Sequence, residues 1–141
     1  MKGFISTILL PLCILQFMTS CEDSSLINKY KKGYRDPALI GKWEDPDMPI
    51  GKESEGNVYG FIFHANGKMD WLYVMQKEGT YIVSPHIFDM KYYTKDGLIY
   101  QLQVGDGFKV STNEREPLRY RIVQDKLYIS EVGKSGYKRV K

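Results

Sequence analysis

Apolar and polar side chains alternate with a period of two residues along most of the chain after residue 37. Met69, Trp71, Tyr73 and Met75 share one face of their segment, and residues 88–92 repeat the pattern. Successive side chains of a strand point to opposite faces, so this period predicts strands with one dry and one solvated face. No segment keeps a 3.6-residue apolar period over ~11 residues, which argues against a long helix in this region.

Turn residues divide the alternating segments into short strands. Asn66-Gly67 and residues 94–97 are typical of tight hairpins, because these residue types adopt positive φ easily. The predicted strands are 39–43, 58–63, 68–74, 79–83, 86–93, 98–104, 108–110, 119–123, 126–130 and 137–140. Residues 45–57 and 111–117 are predicted loops. We expect an all-β fold, a small antiparallel meander barrel of about 8–10 strands, with a two-sheet sandwich as the alternative.

The N-terminus has a different pattern, with Lys2 as its one charge before residue 22 and an apolar run over residues 3–18. A basic start, an apolar core and small residues before a cleavage site are typical of a secretory signal. A membrane-spanning helix needs ~20 mainly apolar residues, and Pro11 and Gln16 interrupt this run. We therefore predict a signal peptide at 1–20, with an uncleaved anchor as the alternative.

The residues Met18-Thr19-Ser20-Cys21 resemble a lipobox, the recognition sequence of lipoprotein signal peptidase. The resemblance implies that the Cys21 thiol accepts a diacylglyceryl group and that its freed amine accepts a further acyl chain, such as palmitate. Two or more chains give a stable membrane anchor. Residues 21–36 are then a lipidated cysteine and flexible tether, and residues 37–141 are the domain. The acidic Glu22-Asp23 that follows is an outer-membrane surface-export signal or a plain solvated tether.

Composition narrows the possible partners. Removal of residues 1–20 from the 141-residue chain leaves 121 residues, enough for one domain, and lowers the formal charge from +3 to +2 because Lys2 leaves. Acidic residues are interleaved with the basic ones, so we predict no nucleic-acid partner. Cys21 has no second cysteine to pair with in the mature chain, so the fold depends on its apolar core. We expect a monomer.

Four short motifs occur in a fixed order along the domain: Gly41-Lys42-Trp43, Asn66-Gly67-Lys68, Gly79-Thr80-Tyr81 and Asp125-Lys126-Leu127-Tyr128. In this order they resemble the lipocalin-like (calycin-type) domains of bacterial lipoproteins, over about residues 38–140. The resemblance implies a barrel whose floor is plugged by a tryptophan that packs against a cationic side chain from a late strand.

In this chain Gly41 and Trp43 match the floor motif. Arg119, Arg121 and Arg139 are candidates for the cation, and Arg139 is favoured by its place on the last strand. Such a contact contributes about 0.5–2 kcal/mol.

Catalytic chemistry is not indicated by any motif. His64 and His86 are 22 residues apart, which is no metal-ligand spacing, and the acidic residues of 45–57 lack the EF-hand spacing. We predict no catalytic residue, no metal and no cofactor, and no enzyme activity.

The leading hypothesis is a membrane-anchored, lipocalin-like binding module of the bacterial cell envelope that holds a small apolar or glycan ligand. We expect it at the outer membrane, on the periplasmic or the surface-exposed face. The predicted ligand-contacting side chains are Trp71, Tyr73, Phe88, Tyr92 and Tyr100, with the loops 45–57 and 111–117 beside the opening. The alternative for these aromatics is simple core.

A second hypothesis is an envelope interaction protein with a filled barrel, such as an inhibitor of a lytic enzyme or a scaffold. In that case a projecting loop, with 111–117 as the candidate, would contact an envelope protein.

Overall fold

The computed structural model of the protein describes residues 25–105, 110–130 and 132–141. The predicted signal at 1–20 and Cys21 lie outside the described residues, as do residues 108 and 109 of the predicted strand 108–110. In the described part, a helix at residues 25–32 precedes nine strands and one short 3-10 helix. Their bounds are β1 (Gly41–Glu44), the 3-10 helix (Lys52–Ser54), β2 (Val58–Phe63), β3 (Lys68–Lys77), β4 (Thr80–Pro85), β5 (Asp89–Lys95), β6 (Leu98–Gly105), β7 (Val110–Val123), β8 (Lys126–Ile129) and β9 (Val132–Arg139).

Eight of the nine strands form a closed antiparallel barrel. Strand β1 pairs with β2 on one side and with β9 on the other, and β2 also pairs with β3. The order around the ring is β1-β9-β8-β7-β6-β5-β3-β2. The predicted all-β barrel is confirmed, and the two-sheet sandwich is wrong because the sheet closes on itself.

Strand β4 departs from the predicted meander. The two-residue turn Glu78-Gly79, with φ of 51° and 77°, folds β4 back along the end of β3. Strand β5 then pairs with the start of the same β3 edge, through Lys68↔Lys91 and Met69↔Met90. We call this two-pair junction the β3–β5 seam, and the hairpin formed by the end of β3 with β4 the β3–β4 arm.

The two ends of the barrel differ. One carries the tight turns at Gly67, Asp96-Gly97 and Gln124-Asp125, all with positive φ, and we call it the closed end. The opposite, open end carries the 45–57 connection and the β3–β4 arm.

Aromatic and aliphatic side chains fill the barrel interior. Phe61 packs edge-on against Tyr137 and Phe63 against Tyr92, each with ring centroids 5.2 Å apart. Edge-to-face pairs at this distance are favourable beyond the area that they bury. The fully or nearly fully buried members of this core are Leu39, Trp43, Phe61, Phe63, Met69, Met90, Tyr92, Ile99, Leu127, Ile129 and Tyr137.

Residues 111–117 do not form the predicted loop, because they belong to the 14-residue strand β7. The pairing passes from Ile99↔Leu118 to Gln101↔Arg115, so two residues of β7, at 116 and 117, lie opposite one residue of β6. This is a β-bulge, a position where a strand tolerates proline. Pro117 and the exposed polar run before it therefore mark a bulged strand and not a loop.

Residues 25–36, assigned to a flexible tether from the sequence, pack on the outside of the barrel. Tyr30 in the helix is 1% exposed and forms a second apolar cluster with Tyr93 and Leu102. Its hydroxyl lies 2.9 Å from Glu114 Oε1 and 3.2 Å from the Gln101 carbonyl oxygen. Burial of the Tyr30 side chain stabilises the helix at residues 25–32 on the barrel, because a helix of this length is too short to be stable alone.

At the closed end, Arg139 and Trp43 form the contact that the resemblance implies. The Arg139 Cζ lies 4.2 Å from the Trp43 ring centroid, and its Nη1 donates to the Ile40 carbonyl at 2.8 Å. Trp43 is fully buried and donates its Nε1–H to the Leu39 carbonyl at 2.8 Å. Gly41 has a φ of 135°, and a Cβ there would lie 2.8 Å from Arg139 Nη1. A side chain at 41 would displace the guanidinium, which explains the glycine.

Substitution of Arg139 by Ala should lower the free energy of unfolding by about 2–4 kcal/mol, because it removes a cation–π contact and charged hydrogen bonds to carbonyls. Asp125→Asn is the matched control, since Asp125 is 63% exposed and pairs with the same guanidinium at 3.2 Å. It should cost less than about 1 kcal/mol. Urea unfolding of both variants measures the difference, and equal losses would contradict the role given to Trp43 and the carbonyls.

Candidate functional site

The candidate site lies at the open end, where four rings and one guanidinium converge. We call Trp71, Tyr73, His86, Phe88 and Arg115 the open-end aromatic site; Met90 lies beneath it. Trp71 and Tyr73 are two residues apart on β3 and therefore share the inward face. His86 and Phe88 lie where the chain crosses from β4 to β5. Arg115 reaches the site from β7, next to the bulge.

The rings form a continuous row. Trp71 and Tyr73 stack with an interplanar angle of 15° and centroids 6.3 Å apart. Tyr73 meets His86 edge-on at 5.2 Å, and His86 stacks on Phe88 at 3.8 Å. The Arg115 Cζ lies 5.7 Å from the Phe88 centroid. The row thus presents aromatic faces with one cationic group at its end.

Hydrogen bonds fix the two ends of the row. Trp71 Nε1–H donates to Gln101 Oε1 at 3.0 Å, and Gln101 Nε2 donates to the Glu116 carbonyl at 3.3 Å. Gln101 is 2% exposed, so these bonds satisfy a buried amide. At the other end, Arg115 Nη2 donates to Gln103 Oε1 at 2.9 Å. A buried polar group that is fully paired specifies one arrangement of its neighbours.

His86 is held in its neutral form. Phe88 N–H donates to His86 Nδ1 at 3.2 Å, a bond that needs an unprotonated Nδ1. Burial first and the Arg115 guanidinium second lower the pKa of His86 below its ordinary value. Burial raises the pKa of Tyr73 as well, although Arg115 opposes that shift. The positive charge at this site therefore comes from Arg115.

Three of the five predicted ligand-contacting residues come together here, namely Trp71, Tyr73 and Phe88. Tyr92 lies deeper, fully buried, with its hydroxyl donating to the His64 carbonyl at 2.9 Å, and burial raises its pKa to about 12. Tyr92 therefore belongs to the core, which was the alternative interpretation of the five aromatic residues.

Tyr100 is on the wrong side for an interior ligand. It stacks on Tyr93 with centroids 4.7 Å apart, in the outer cluster under the helix. The apolar alternation of Leu98, Tyr100, Leu102 and Val104 was a true strand pattern, but the helix covers this outer face. The inward residues of β6 are instead Ile99 and Gln101.

Sequence reasoning missed His86, Arg115 and Gln101 as members of the site. The two-residue spacing of His86 and Phe88 was an available signal, because it places both on one face. Arg115 had no such signal, since its position follows the bulge in β7. Gln101 had none either, because the helix and not the strand pattern decides which face of β6 is inside.

The site is shallow. The depression among its side chains has a volume of about 10 Å³, room for roughly one water molecule. Larger clefts lie on the outer surface, including one of about 440 Å³ lined by Asn66, Lys68, Ile87, Asp89 and Lys91. That cleft is open, and its charges are mixed. Apolar surface and fixed polar groups converge instead at the open-end aromatic site, as is usual for ligand sites.

Across residues 25–105, 110–130 and 132–141, no group of three His, Cys, Asp or Glu side chains is arranged to hold a metal ion. No helix in the same residues has the length and apolarity needed to cross a membrane.

The fold defines the class of protein: a closed eight-stranded antiparallel barrel with one extra strand, consistent with a lipocalin-like barrel. Comparison with protein-family models, with curated proteins and with solved structures gave no match.

The lowered pKa of His86 predicts a loss of stability on acidification. The unfolded chain takes up a proton near the ordinary histidine pKa of 6.5 and the folded chain only at lower pH, so the unfolded state binds more protons in that window and stability falls as pH falls through it. His86→Asn keeps an acceptor for Phe88 N–H but cannot titrate. Its Tm should therefore fall less than that of the wild type between about pH 7.5 and 5.5.

Arg115→Gln serves as the second variant in this measurement. It removes the lesser cause of the lowered pKa, so its pH dependence should lie between those of the wild type and His86→Asn. Equal pH dependence in the wild type and His86→Asn would show that His86 is not the linked group.

Proposed function

We propose that the protein is a lipid-anchored binding module of the cell envelope, with a lipocalin-like barrel that takes its ligand at the open end. Cys21 carries the lipid in this proposal, and the outer membrane is the site of anchoring. The observation that supports it best is the row from Trp71 to Phe88 ending at Arg115. The proposal concerns binding and not catalysis.

The geometry favours a ligand laid across the rim over one enclosed in the barrel. Large side chains occupy the interior, and the depression at the open end has room for about one water molecule. A sugar ring or a short apolar chain can instead lie on half-buried aromatic faces. Arg115 would then receive an acidic or hydroxyl group of the same ligand, since its planar guanidinium presents several donors.

The first test is native mass spectrometry of the full-length protein, extracted from its own envelope in mild detergent. We expect a small molecule bound to the wild type, and its loss in Phe88→Ala, which removes the ring under Arg115. Tyr100→Phe is the control, because Tyr100 lies in the outer cluster, and it should retain the bound mass.

Two results would contradict the proposal. One is a wild-type spectrum with no mass beyond the protein and its own lipid. The other is a bound mass that Phe88→Ala retains in full.

A second candidate function, an interaction with another envelope protein, is favoured by strand β4. In the described chain β4 pairs with β3 alone. The β3–β4 turn and the bond from His86 N–H to the Trp71 carbonyl fix which N–H groups of β4 point toward β3. The N–H groups of Tyr81 and Val83 then point away from β3, to the outer edge. The strand Thr80–Pro85 carries no charge, whereas exposed edges are usually protected by charged residues. Such an edge can accept a strand from a partner.

Val83→Pro tests this candidate, because proline removes an outward N–H and is tolerated on an edge strand. The readout is photo-crosslinking in the intact envelope from a benzophenone side chain at Thr80. We expect a discrete crosslinked protein in the wild-type background and in the control Val83→Thr, which keeps the N–H. The yield should fall at least about tenfold in Val83→Pro, and an unchanged yield would exclude strand addition at β4.

A further inference from the structure

Strand β7 continues past β6 at the closed end of the barrel. Leu98, the first residue of β6, pairs with Arg119, and in the described chain the rest of β7, up to Val123, pairs with β8 alone. The turn Asp96-Gly97 lies against the base of this extension, because Tyr120 N–H donates to the Gly97 carbonyl at 3.0 Å. The turn and the longer β7–β8 hairpin therefore form a step in the outer wall of the barrel.

Two arginines of β7 line this step. Tyr120 and Ile122 pack against the barrel core, so Arg119 and Arg121, which alternate with them, point outward. Both arginines are exposed, and they lie about 7 Å apart along the strand. No carboxylate of the described residues lies within ion-pair distance of either guanidinium. The step therefore carries two cationic groups that no described acid neutralises by contact.

The Arg121 guanidinium is held in place by a stack of groups from three strands. Arg121 pairs with Tyr128 of β8, and its Cζ lies 4.5 Å from the Tyr128 ring centroid. The ring in turn lies over Gly136 of β9, where a Cβ would be 3.0 Å from Tyr128 Cε1. Stacking covers one face of the planar guanidinium and leaves the N–H donors at its edge for another group. An arginine fixed in this way loses less freedom when it binds an anion.

A cleft of about 310 Å³ lies at the step, and we call it the closed-end cleft. The side chains that line it include those of Asp96, Arg119, Arg121, Tyr128 and Ser130. Its volume is within the range of small-molecule sites, about 300–1,000 Å³. The cleft is on the outer face of the sheet, whereas the open-end aromatic site is on the inner face at the other end.

The charges of the closed-end cleft select the kind of ligand. A phosphate monoester carries a charge of about −1.5 to −2 near neutral pH, which two guanidinium groups match, and each guanidinium can donate two parallel hydrogen bonds to phosphate oxygens. The Asp96 carboxylate in the same cleft repels a free phosphate ion. It also accepts hydrogen bonds from hydroxyl groups. A molecule that carries a phosphate and neighbouring hydroxyl groups therefore suits the whole cleft.

We propose that the closed-end cleft binds the phosphate monoester of a sugar, with the phosphate on Arg119 and Arg121 and a sugar hydroxyl on Asp96. The inference goes beyond the proposed function, because it concerns a second site on the outer wall of the barrel. It depends neither on a lipid at Cys21 nor on a ligand at the open-end aromatic site.

The test is a ³¹P NMR titration of the full-length protein with glucose 6-phosphate and, separately, with inorganic phosphate. The protein is kept in a polyoxyethylene detergent, which contains neither phosphate nor sugar. The titrations are made at about pH 8, where the phosphate is a dianion. We expect saturable binding of glucose 6-phosphate with a Kd at least about fivefold lower than that of inorganic phosphate, because only the sugar offers hydroxyl groups to Asp96.

Arg119→Gln and Arg121→Gln should each raise the Kd of glucose 6-phosphate at least about tenfold, because each removes a charged donor to the phosphate. Lys138→Gln is the matched control. It removes one positive charge from an exposed position of the same outer wall on β9, outside the cleft, and should change the Kd less than about twofold.

Asp96→Asn separates the role of the sugar from that of the phosphate. Asparagine tolerates the φ of 53° at this position. Removal of the carboxylate should lower the Kd of inorganic phosphate at least about threefold, so the preference for glucose 6-phosphate should shrink. This variant gains binding, and a damaged fold cannot produce that result.

Three results would overturn the inference. The first is a wild-type protein that binds inorganic phosphate as tightly as glucose 6-phosphate, or binds neither. The second is a wild-type Kd in either arginine variant. The third is a loss in Lys138→Gln as large as in the arginine variants, which would show a response to net charge and not to the cleft.

Discussion

One edge of β3 is shared by two strands, and the architecture of the open end depends on this division. Met69 and its neighbour Lys68 pair with β5, and the rest of the edge, from Leu72 to Lys77, pairs with β4. The chain must therefore cross from β4 to β5 within three residues, and that crossing carries His86 and Phe88 over the end of the barrel. Without it, Tyr73 would lack the His86 ring that it meets edge-on.

Two apolar layers hold the structure together, one inside the barrel and one between the barrel and the helix. Strands β5 and β6 contribute to both, because Tyr92 and Ile99 face inward while Tyr93 and Tyr100 face the helix. These two layers account for the high aromatic content of the chain. The aromatic side chains of the inner layer fill the described interior.

The strands and most hairpins could be predicted from the sequence, because alternation and turn residues are local signals. Barrel closure could not, since a two-sheet sandwich fits the same alternation, and the place of Trp43 at the floor came from the resemblance. The aromatic site was less predictable. Tyr100 follows the same alternating pattern as an inward residue would. The helix at residues 25–32 decides which face of β6 lies inside, and the apolar residues of this helix span less than two turns. Residues 111–117 carry the polar composition of a loop, yet β6 offers them a strand to pair with.

The β3–β5 seam has a consequence for the mechanics of the barrel. Two joints of the ring have only two described pairs each, the seam and the junction of β1 with β9. The β1–β9 junction places Glu44 opposite Lys138, whereas the seam places Lys68 directly opposite Lys91. Like charges in that position repel each other. Of these two short joints, the seam is therefore the one that the charges of its own strands weaken. Because the seam adjoins His86 and Phe88, an opening there would give access to the filled interior from the side and not along the axis.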